Sequence, residues 1–199
     1  MSDIISSDLD DDMKNSWGTD PAIFKALNKE FNFSMDAACS AKNTKVPSCF
    51  LTKENDALNV DWLKHMDAHG AKTKNVWINP PYGRGHIKKF MQKAIQEKAN
   101  GITTVLLVPA TLDAQWLPIN EISEIRIVTG GRLTFLAPCD YVIKGKNGNP
   151  DRLVKEGTPV KGNTKGSMFV IFKPTKMAWP CVVSLVDRNE LIAMSLYHI

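Results

Sequence analysis

The spacing of apolar residues along the chain predicts two well-marked helices. In "WGTDPAIFKALNKEF", apolar side chains recur every four positions, at Ile23, Leu27 and Phe31, which is helical spacing. Thr19 or Asp20 can cap this helix, and Pro21 suits its first turn. In "HIKKFMQKAIQEKA", lysines face away from an apolar stripe made of Ile87, Phe90, Met91, Ala94 and Ile95.

Shorter apolar runs predict strands. "FNFSMDAACS" alternates apolar and polar residues and predicts a strand that ends at Asp36, and "NVWINPPYG" predicts a strand over 76–78 with a proline-fixed turn after it. "TTVLLVP" and "SMFVIF" are continuous apolar runs typical of buried strands. "EIRIV" and "RLTFL" predict two more strands, and "CVVSLVDRNELIAMSLY" predicts a strand pair around the turn "DRNE". Residues 43–62 are expected to be irregular, with at most one short strand.

The order of these elements favours an α/β fold with a mixed, mainly parallel sheet. Functional sites in such sheets lie at the carboxyl ends of the strands. Asp36, Asn79 and Pro109 each follow or end a predicted strand. We therefore expect one edge of the sheet to carry all three.

Composition indicates one ordinary domain, since the chain has 199 residues of which 43% are hydrophobic. We predict an acidic tail over 1–13 and a single domain over 14–199. No apolar run is long enough for a membrane span, and no secretory signal is visible, so we expect a cytoplasmic protein. The scattered cysteines agree with reduced thiols: Cys39, Cys49, Cys139 and Cys181.

The distribution of charge suggests a polyanionic partner. The net charge is +4, and it would be five units higher without the acidic tail. Residues 140–166 form a glycine-rich stretch, expected to be a long loop or an inserted hairpin, in which cations outnumber Asp140, Asp151 and Glu156. These cations are Lys144, Lys146, Arg152, Lys155, Lys161 and Lys165.

The turn "NPPY" offers a set of groups suited to a planar amine. Asn79 has a carbonyl acceptor, and Pro80 and Pro81 hold the backbone rigid. Tyr82 adds a ring that can stack on a base. Two acceptors on the hydrogens of an exocyclic amine favour a more tetrahedral nitrogen and stabilise the positive charge that develops as it attacks a methyl sulfonium. This reaction requires neither a covalent enzyme intermediate nor a metal.

The wider pattern resembles the small phage-type DNA N6-adenine methyltransferases that use S-adenosylmethionine. The likeness runs from Trp17 to Phe172 through "WGTDP", "FSMDAA", "DALNVDW", "WINPPYG", "LLVPATLDAQW" and "GGRLTF". It implies a Rossmann-like methyltransferase fold with helices on both faces of the sheet. It also implies double-stranded DNA as the partner and, by analogy, protection of phage DNA from restriction.

The resemblance assigns roles to individual residues. Asn79 and Pro80, held by Pro81, would accept from the target amine, and Tyr82 would stack on a flipped adenine, because a paired adenine hides its amine. The residues implied to bind S-adenosylmethionine are Trp17, Thr19, Pro21, Asp36, Ala37, Asp56 and Ala57. The residues expected to contact DNA phosphates are Arg84, Lys88, Lys144, Lys146 and Arg152.

The chain departs from broader methyltransferases at two points. "DAACSAKN" replaces the usual glycine-rich loop after the first strand, and no clear acid ends a second strand, so Glu54 and Asp61 are alternatives for the ribose contact. The spacing of His65, His69 and His86 predicts no metal site.

Two alternatives and the oligomeric state stay open. The same acceptors suit an RNA adenine, the N4 amine of cytosine or a protein glutamine amide. A DNA-binding module that keeps the fold without catalysis is the alternative from another class.

Overall fold

The computed structural model describes residues 13, 16–83, 85–145, 149–160, 165–174 and 181–197. The predicted acidic tail lies outside the described residues except for Met13. Arg84 and Lys146 also lie outside the described residues. The described helices are α1 (Pro21–Phe31), α2 (Trp62–Ala68), α3 (His86–Ala99) and α4 (Arg188–Leu196). None of them is long and apolar enough to cross a membrane.

The described strands begin with β1 (Gly18–Thr19), β2 (Met35–Asp36), β3 (Asn75–Ile78), β4 (Thr103–Pro109), β5 (Glu124–Thr129) and β6 (Phe135–Leu136). They continue with β7 (Tyr141–Ile143), β8 (Arg152–Val154), β9 (Pro159–Val160), β10 (Ser167–Phe172) and β11 (Val182–Asp187).

Six of these strands form one mixed sheet in the order β11-β5-β10-β4-β3-β2. The pairs β2–β3, β3–β4 and β5–β11 are parallel, whereas β10 runs antiparallel to both β4 and β5. The predicted α/β class with a mixed, mainly parallel sheet is confirmed. Because β2, β3 and β4 are parallel, Asp36, Asn79 and Pro109 follow or end their strands at the same edge.

Two smaller sheets stand beside the main one. The strands β1, β6 and β9 pair in an antiparallel sheet. Of these three strands, only the one in "RLTFL" is predicted from the sequence. β7 and β8 form an antiparallel hairpin within residues 140–166, so of the two expectations for this stretch, a long loop or an inserted hairpin, the structure favours the hairpin. Tyr141 of this hairpin packs edge-on against Trp17, with ring centroids 6.0 Å apart.

The two predicted helices form as expected. Asp20 caps α1 by accepting a hydrogen bond from the Ala22 N–H, and Pro21 occupies the first turn. α3 spans the residues of the predicted stretch, and the exposed Lys88 and Lys89 agree with the prediction of a lysine face. Lys93 departs from it, because its side chain is buried beside Glu97.

The core consists of two large clusters that divide alternate residues of the strands. Val76 and Ile78 belong to the cluster that contains the buried residues of α2 and α3. Trp77, between them, belongs to the cluster that contains the buried residues of α1 and Leu191 of α4. This division follows from the two-residue repeat of a strand, which sends neighbouring side chains to opposite sides.

The predicted strand pair at the end of the chain is wrong. β11 is a strand, but the residues after it form α4. Asp187 caps this helix by accepting hydrogen bonds from the N–H groups of Asn189 and Glu190. Leu191 is buried against the α1 cluster, which gives the helix an anchor that the local pattern does not show.

The short helix α2 was also missed, and it begins at Trp62, where the stretch expected to be irregular ends. Asp61 caps it through the Lys64 N–H, and Trp62 and Met66, four residues apart, are buried. This pattern of a capping acid followed by apolar residues at helical spacing could have identified it.

Candidate active site

A cavity of about 710 Å³ lies beside the carboxyl ends of β2 and β3. Its walls come from residues within 16–19, 36–45 and 51–58, together with the turn after β3 and two residues of α3. This volume lies in the range of small-molecule sites. The cavity therefore gathers side chains that are far apart in the sequence at the edge where the fold predicts a site.

Asn79 presents an acceptor at this cavity. Its Nδ2 donates a hydrogen bond of 2.8 Å to the carbonyl oxygen of Trp17. Since a carbonyl can only accept, this bond fixes which end of the amide is the nitrogen. Its Oδ1 is buried and has no hydrogen-bond partner among the described residues. A buried acceptor without a partner is costly, so this oxygen is suited to receive a donor from a ligand.

The rest of the turn supports that acceptor. Pro81 lines the cavity, and Pro80 is buried. Within the described residues, no backbone N–H donates to the Pro80 carbonyl. The role of the Pro80 carbonyl as a second acceptor next to Asn79 Oδ1 stays a prediction from the sequence.

Tyr82 is anchored at its polar end. Its hydroxyl donates to the carbonyl of Leu107 in β4 at 3.2 Å, and its ring meets Phe135 edge-on at 6.3 Å. The residue is nevertheless 36% exposed. Burial of the hydroxyl raises the pKa of Tyr82. Tyr82 does not line the cavity, so the ring offers its surface beside it rather than within it.

The segment 17–19 joins the cavity to the small antiparallel sheet. Trp17 and Thr19 line the cavity, and Thr19 pairs with Phe135 of β6. The hydroxyl oxygen of Thr19 is buried without a partner among the described residues. It is a second polar group that a ligand could satisfy.

Asp36 is a buried carboxyl group at the end of β2, with 2% of its surface exposed. It accepts hydrogen bonds from the backbone N–H groups of Lys45 at 2.8 Å and Ala38 at 3.4 Å. Burial raises the pKa of Asp36 to about 6, and these N–H groups and the Lys45 charge oppose the rise. Burial lowers the pKa of Lys45, whereas Asp36 raises it. A carboxylate held this way can bind a cationic group of a ligand.

The other acids that the sequence suggests for cofactor binding differ in whether they line the cavity. Asp56 lines the cavity in a left-handed conformation with φ of 52°, and its carboxylate accepts from Asn59 Nδ2 at 2.6 Å. Glu54 also lines the cavity, while Asp61 serves as the cap of α2. Of the two alternatives for the ribose contact, the structure therefore brings only Glu54 to the cavity.

Not every predicted residue lies there. Ala37 and Ala57 line the cavity, but Pro21 lies in the first turn of α1 and is exposed. Lys88 is exposed on α3, and Arg152 begins β8. Lys144 forms an ion pair of 3.0 Å with Asp151 in the hairpin.

Sequence reasoning missed several residues that line the cavity. His86 and Phe90 reach it from α3, and Lys45 reaches it from the loop after β2. The sequence gives one hint that Lys45 pairs with Asp36, which is that it follows this strand-ending residue by nine positions. A separation of nine residues matches no regular repeat. These contacts depend on how the loop folds back.

An anchored amide acceptor and a buried carboxyl group line one cavity at the carboxyl ends of the strands, where open α/β sheets bind their ligands. The chain belongs to the DNA N-6-adenine-methyltransferase (Dam) family, whose model matches residues 6–196. This match confirms the resemblance found in the sequence, and a methyltransferase family requires a methyl donor.

A curated relative is the DNA N-6-adenine-methyltransferase of Escherichia phage T1. It is 27% identical to this chain over 169 residues, which cover 83% of the chain and 66% of the relative. The chain thus spans about two thirds of the length of this relative.

Proposed function

We propose that this chain methylates the N6 amine of adenine in double-stranded DNA with S-adenosylmethionine as the methyl donor. The N6–methyl bond forms as the methyl–sulfur bond breaks, the products are N6-methyladenine and S-adenosylhomocysteine, and the amine releases a proton to solvent. The family match supports the substrate and the reaction. The observation that carries the assignment to this site is the buried, unpartnered Oδ1 of Asn79.

The cavity fits S-adenosylmethionine. Its volume is adequate for a nucleoside with an amino-acid arm, and Asp36, Glu54 and Asp56 line it together with the unpartnered hydroxyl of Thr19. We assign Asp36 and Ala37, with Trp17 and Thr19, to the methionine side and Asp56 and Ala57 to the adenosine side. When bound, the cofactor supplies an electrophilic methyl group on a sulfonium. The position of the cavity at the carboxyl ends of the strands also favours a Rossmann-like arrangement. In this arrangement α1 and α4 lie on one face of the sheet, and α2 and α3 lie on the other.

Asn79 and Pro80 act on the target amine. Their oxygens accept its two hydrogens, which increases the electron density on nitrogen and stabilises the positive charge of the transition state. The Trp17 carbonyl keeps the amide of Asn79 in the required orientation, because a flipped amide would present a donor to the amine. Pro81 removes backbone freedom from the turn.

Tyr82 receives the base. A paired adenine must leave the helix to reach the acceptors, and an aromatic surface stabilises it once it is extruded. The ring of the partly exposed Tyr82, fixed through its hydroxyl to Leu107, supplies such a surface. The groups proposed to hold DNA phosphates are Arg84, Lys88 and the inserted segment 140–166, with Lys144, Lys146 and Arg152. We propose that they belong to one single domain and that the enzyme acts in the cytoplasm.

The experiment compares the native protein with Asn79→Ala and the control Asn120→Ala, an exposed asparagine that does not line the cavity. Each is incubated with tritiated S-adenosylmethionine and unmethylated DNA, which is then digested to nucleosides. We expect label in N6-methyladenine and a loss of turnover on the order of 10²- to 10³-fold in Asn79→Ala only. Cofactor affinity measured by calorimetry should be nearly unchanged.

Other substrates decide between the alternatives. Matched assays use RNA, DNA with cytosine as its only amino-bearing base, and a glutamine-containing peptide. Label in one of these and none in DNA adenine would overturn the proposed substrate. Cofactor binding by the native protein without label in any substrate would indicate the idle module, and wild-type turnover in Asn79→Ala would refute the role of this residue.

A further inference from the structure

Three potential metal ligands meet away from the cavity lining. Cys49, His65 and His69 each offer one sulfur or nitrogen, and these atoms all lie within 4.8 Å of one another. The rings of His65 and His69 have centroids 4.2 Å apart. The two histidines are four residues apart at the end of α2, which places them on one side of the helix.

The hydrogen bonding of His69 prepares it as a ligand. Its Nδ1 lies 2.8 Å from the backbone carbonyl of His65. Because a carbonyl only accepts, Nδ1 carries the proton, and the lone pair of the neutral ring is left on Nε2. A backbone carbonyl on the other ring nitrogen is the usual way in which proteins orient a metal-binding histidine.

His65 and Cys49 are short of partners in the interior. The Nε2 of His65 is buried without a hydrogen-bond partner among the described residues. Cys49 is 2% exposed and free of any disulfide. An unpartnered buried nitrogen next to a buried thiol needs a reason to persist, and a cation supplies one.

We propose that Cys49, His65 and His69 bind a transition-metal dication of the zinc class. One thiolate and two imidazoles are the donor types that zinc prefers. Tetrahedral bonds of about 2.1 Å to nitrogen and 2.3 Å to sulfur place ligand atoms about 3.6 Å apart. Side-chain rotation can bring atoms now within 4.8 Å to that separation. The exposed position of His69 leaves water as the fourth ligand.

The ion would join α2 to a segment that forms part of the cavity. The Cys49 carbonyl accepts from the Asp36 N–H at 3.1 Å, and the Leu51 N–H donates to the Asp36 carbonyl at 2.9 Å. Leu51 and Thr52 line the cavity. A bound ion therefore stabilises the wall next to Asp36 without contacting the reacting groups. The spacing of the histidines and the scatter of the cysteines, each taken alone, predict no metal site, because the fold rather than the sequence brings Cys49 to His65 and His69.

The test uses the full chain, reduced and stripped of metal with a chelator. Native protein, Cys49→Ser and His69→Gln are titrated with Zn²⁺ by calorimetry, and the zinc retained after gel filtration is measured. The matched controls, Cys181→Ser and His86→Gln, alter a cysteine and a histidine outside the cluster. We expect one equivalent of zinc in the native protein and both controls, and an affinity more than about tenfold weaker in the two cluster variants.

Cobalt substitution identifies the sulfur ligand. Co²⁺ bound to the native protein should show a sulfur-to-cobalt charge-transfer band that Cys49→Ser lacks and Cys181→Ser retains. His69→Gln keeps the test valid if Cys49→Ser fails to fold, because His69 is exposed. No retained zinc in the native protein, or equal affinity in native protein and His69→Gln, would overturn the proposal.

Discussion

Asn79 uses the two ends of its amide for different purposes. The nitrogen is held by Trp17, and the oxygen is left buried and unpartnered at the cavity. Asp36 is the complementary case, since its carboxyl group is also buried but accepts two backbone N–H groups. The first arrangement leaves a free acceptor, which in the proposed reaction receives the target amine, and the second leaves a charge that depends on pH.

The affinity for S-adenosylmethionine should depend on pH through Asp36. Because its pKa is raised to about 6, the carboxylate that would bind the cationic amino group is present above this pH and lost below it. We expect a nearly constant affinity from pH 7 down to about 6, then a fall approaching tenfold per unit. Calorimetric titrations between pH 5 and 7 measure it.

Asp36→Asn provides the comparison. This variant should bind weakly and without the pH dependence, whereas an equally steep fall in Asp36→Asn would show that another group titrates. The effect on folding has the opposite sign. Since the folded pKa lies above the ordinary value of 3.8, Asp36 contributes stability below about pH 4 that is lost as pH rises through about 6.

At the scale of elements, α3 is joined to the segment before α2 by a buried charge. Lys93 Nζ lies 2.5 Å from Glu97 Oε1 on the next turn and donates to the Val60 carbonyl at 2.7 Å. It also lies 5.4 Å from the centre of the Trp62 ring. Both charged side chains are more than nine-tenths buried. Such a pair is costly to break, because the remaining charge has no water around it.

Glu97→Gln should lower the free energy of unfolding by about 3 kcal/mol, since Lys93 would keep a buried charge without its counterion. Urea denaturation monitored by tryptophan fluorescence measures the change. The double variant Lys93→Met with Glu97→Leu should recover most of the loss, because it removes both charges and keeps the volume. A loss below about 1 kcal/mol in Glu97→Gln would mean that the pair is not insulated from solvent.

At the scale of the whole molecule, the hairpin β7–β8 connects the predicted DNA contacts with the site. Tyr141 packs on Trp17, whose carbonyl holds Asn79. Several charges of the hairpin are already paired within it, as in Lys144–Asp151 and Lys155–Asp140. These pairs are exposed and therefore weak, so a phosphate can replace the carboxylate.

The double variant Lys144→Ala with Arg152→Ala should weaken DNA binding at all sequences. Each lost phosphate contact should reduce the slope of log affinity against log salt by about 1, so the double variant should lose about 2. Fluorescence anisotropy, measured at salt concentrations from about 50 to about 300 mM, gives the slope.

The control is the double variant Lys25→Ala with Lys64→Ala, which changes two exposed lysines of α1 and α2. Lys64 matches Lys144 in having an exposed carboxylate partner, Asp61. Equal slopes for the two double variants would exclude a specific role for the hairpin.

Local patterns were sufficient for α1, α3 and the strand ends. Asp20 with Pro21 marks the start of α1, and the apolar stripe of α3 gives its full length, because caps and periodicity act within a few residues. The same reasoning failed at α4, where Asp187 and the burial of Leu191 outweigh a strand-like run of apolar residues. It also failed at Lys93, whose burial depends on Val60 and Trp62 rather than on α3 itself.

The sequence by itself determined the α/β class, the position of Asn79 after a strand and the rigidity of its turn, since each depends on neighbours in the chain. Only the tertiary structure decided that Asn79 is held by Trp17, 62 positions away, and that Asp36 is buried beside Lys45. It also decided that Cys49 meets His65 and His69. The physical reason is that strand order and loop paths, which no local period encodes, determine which distant groups share a site.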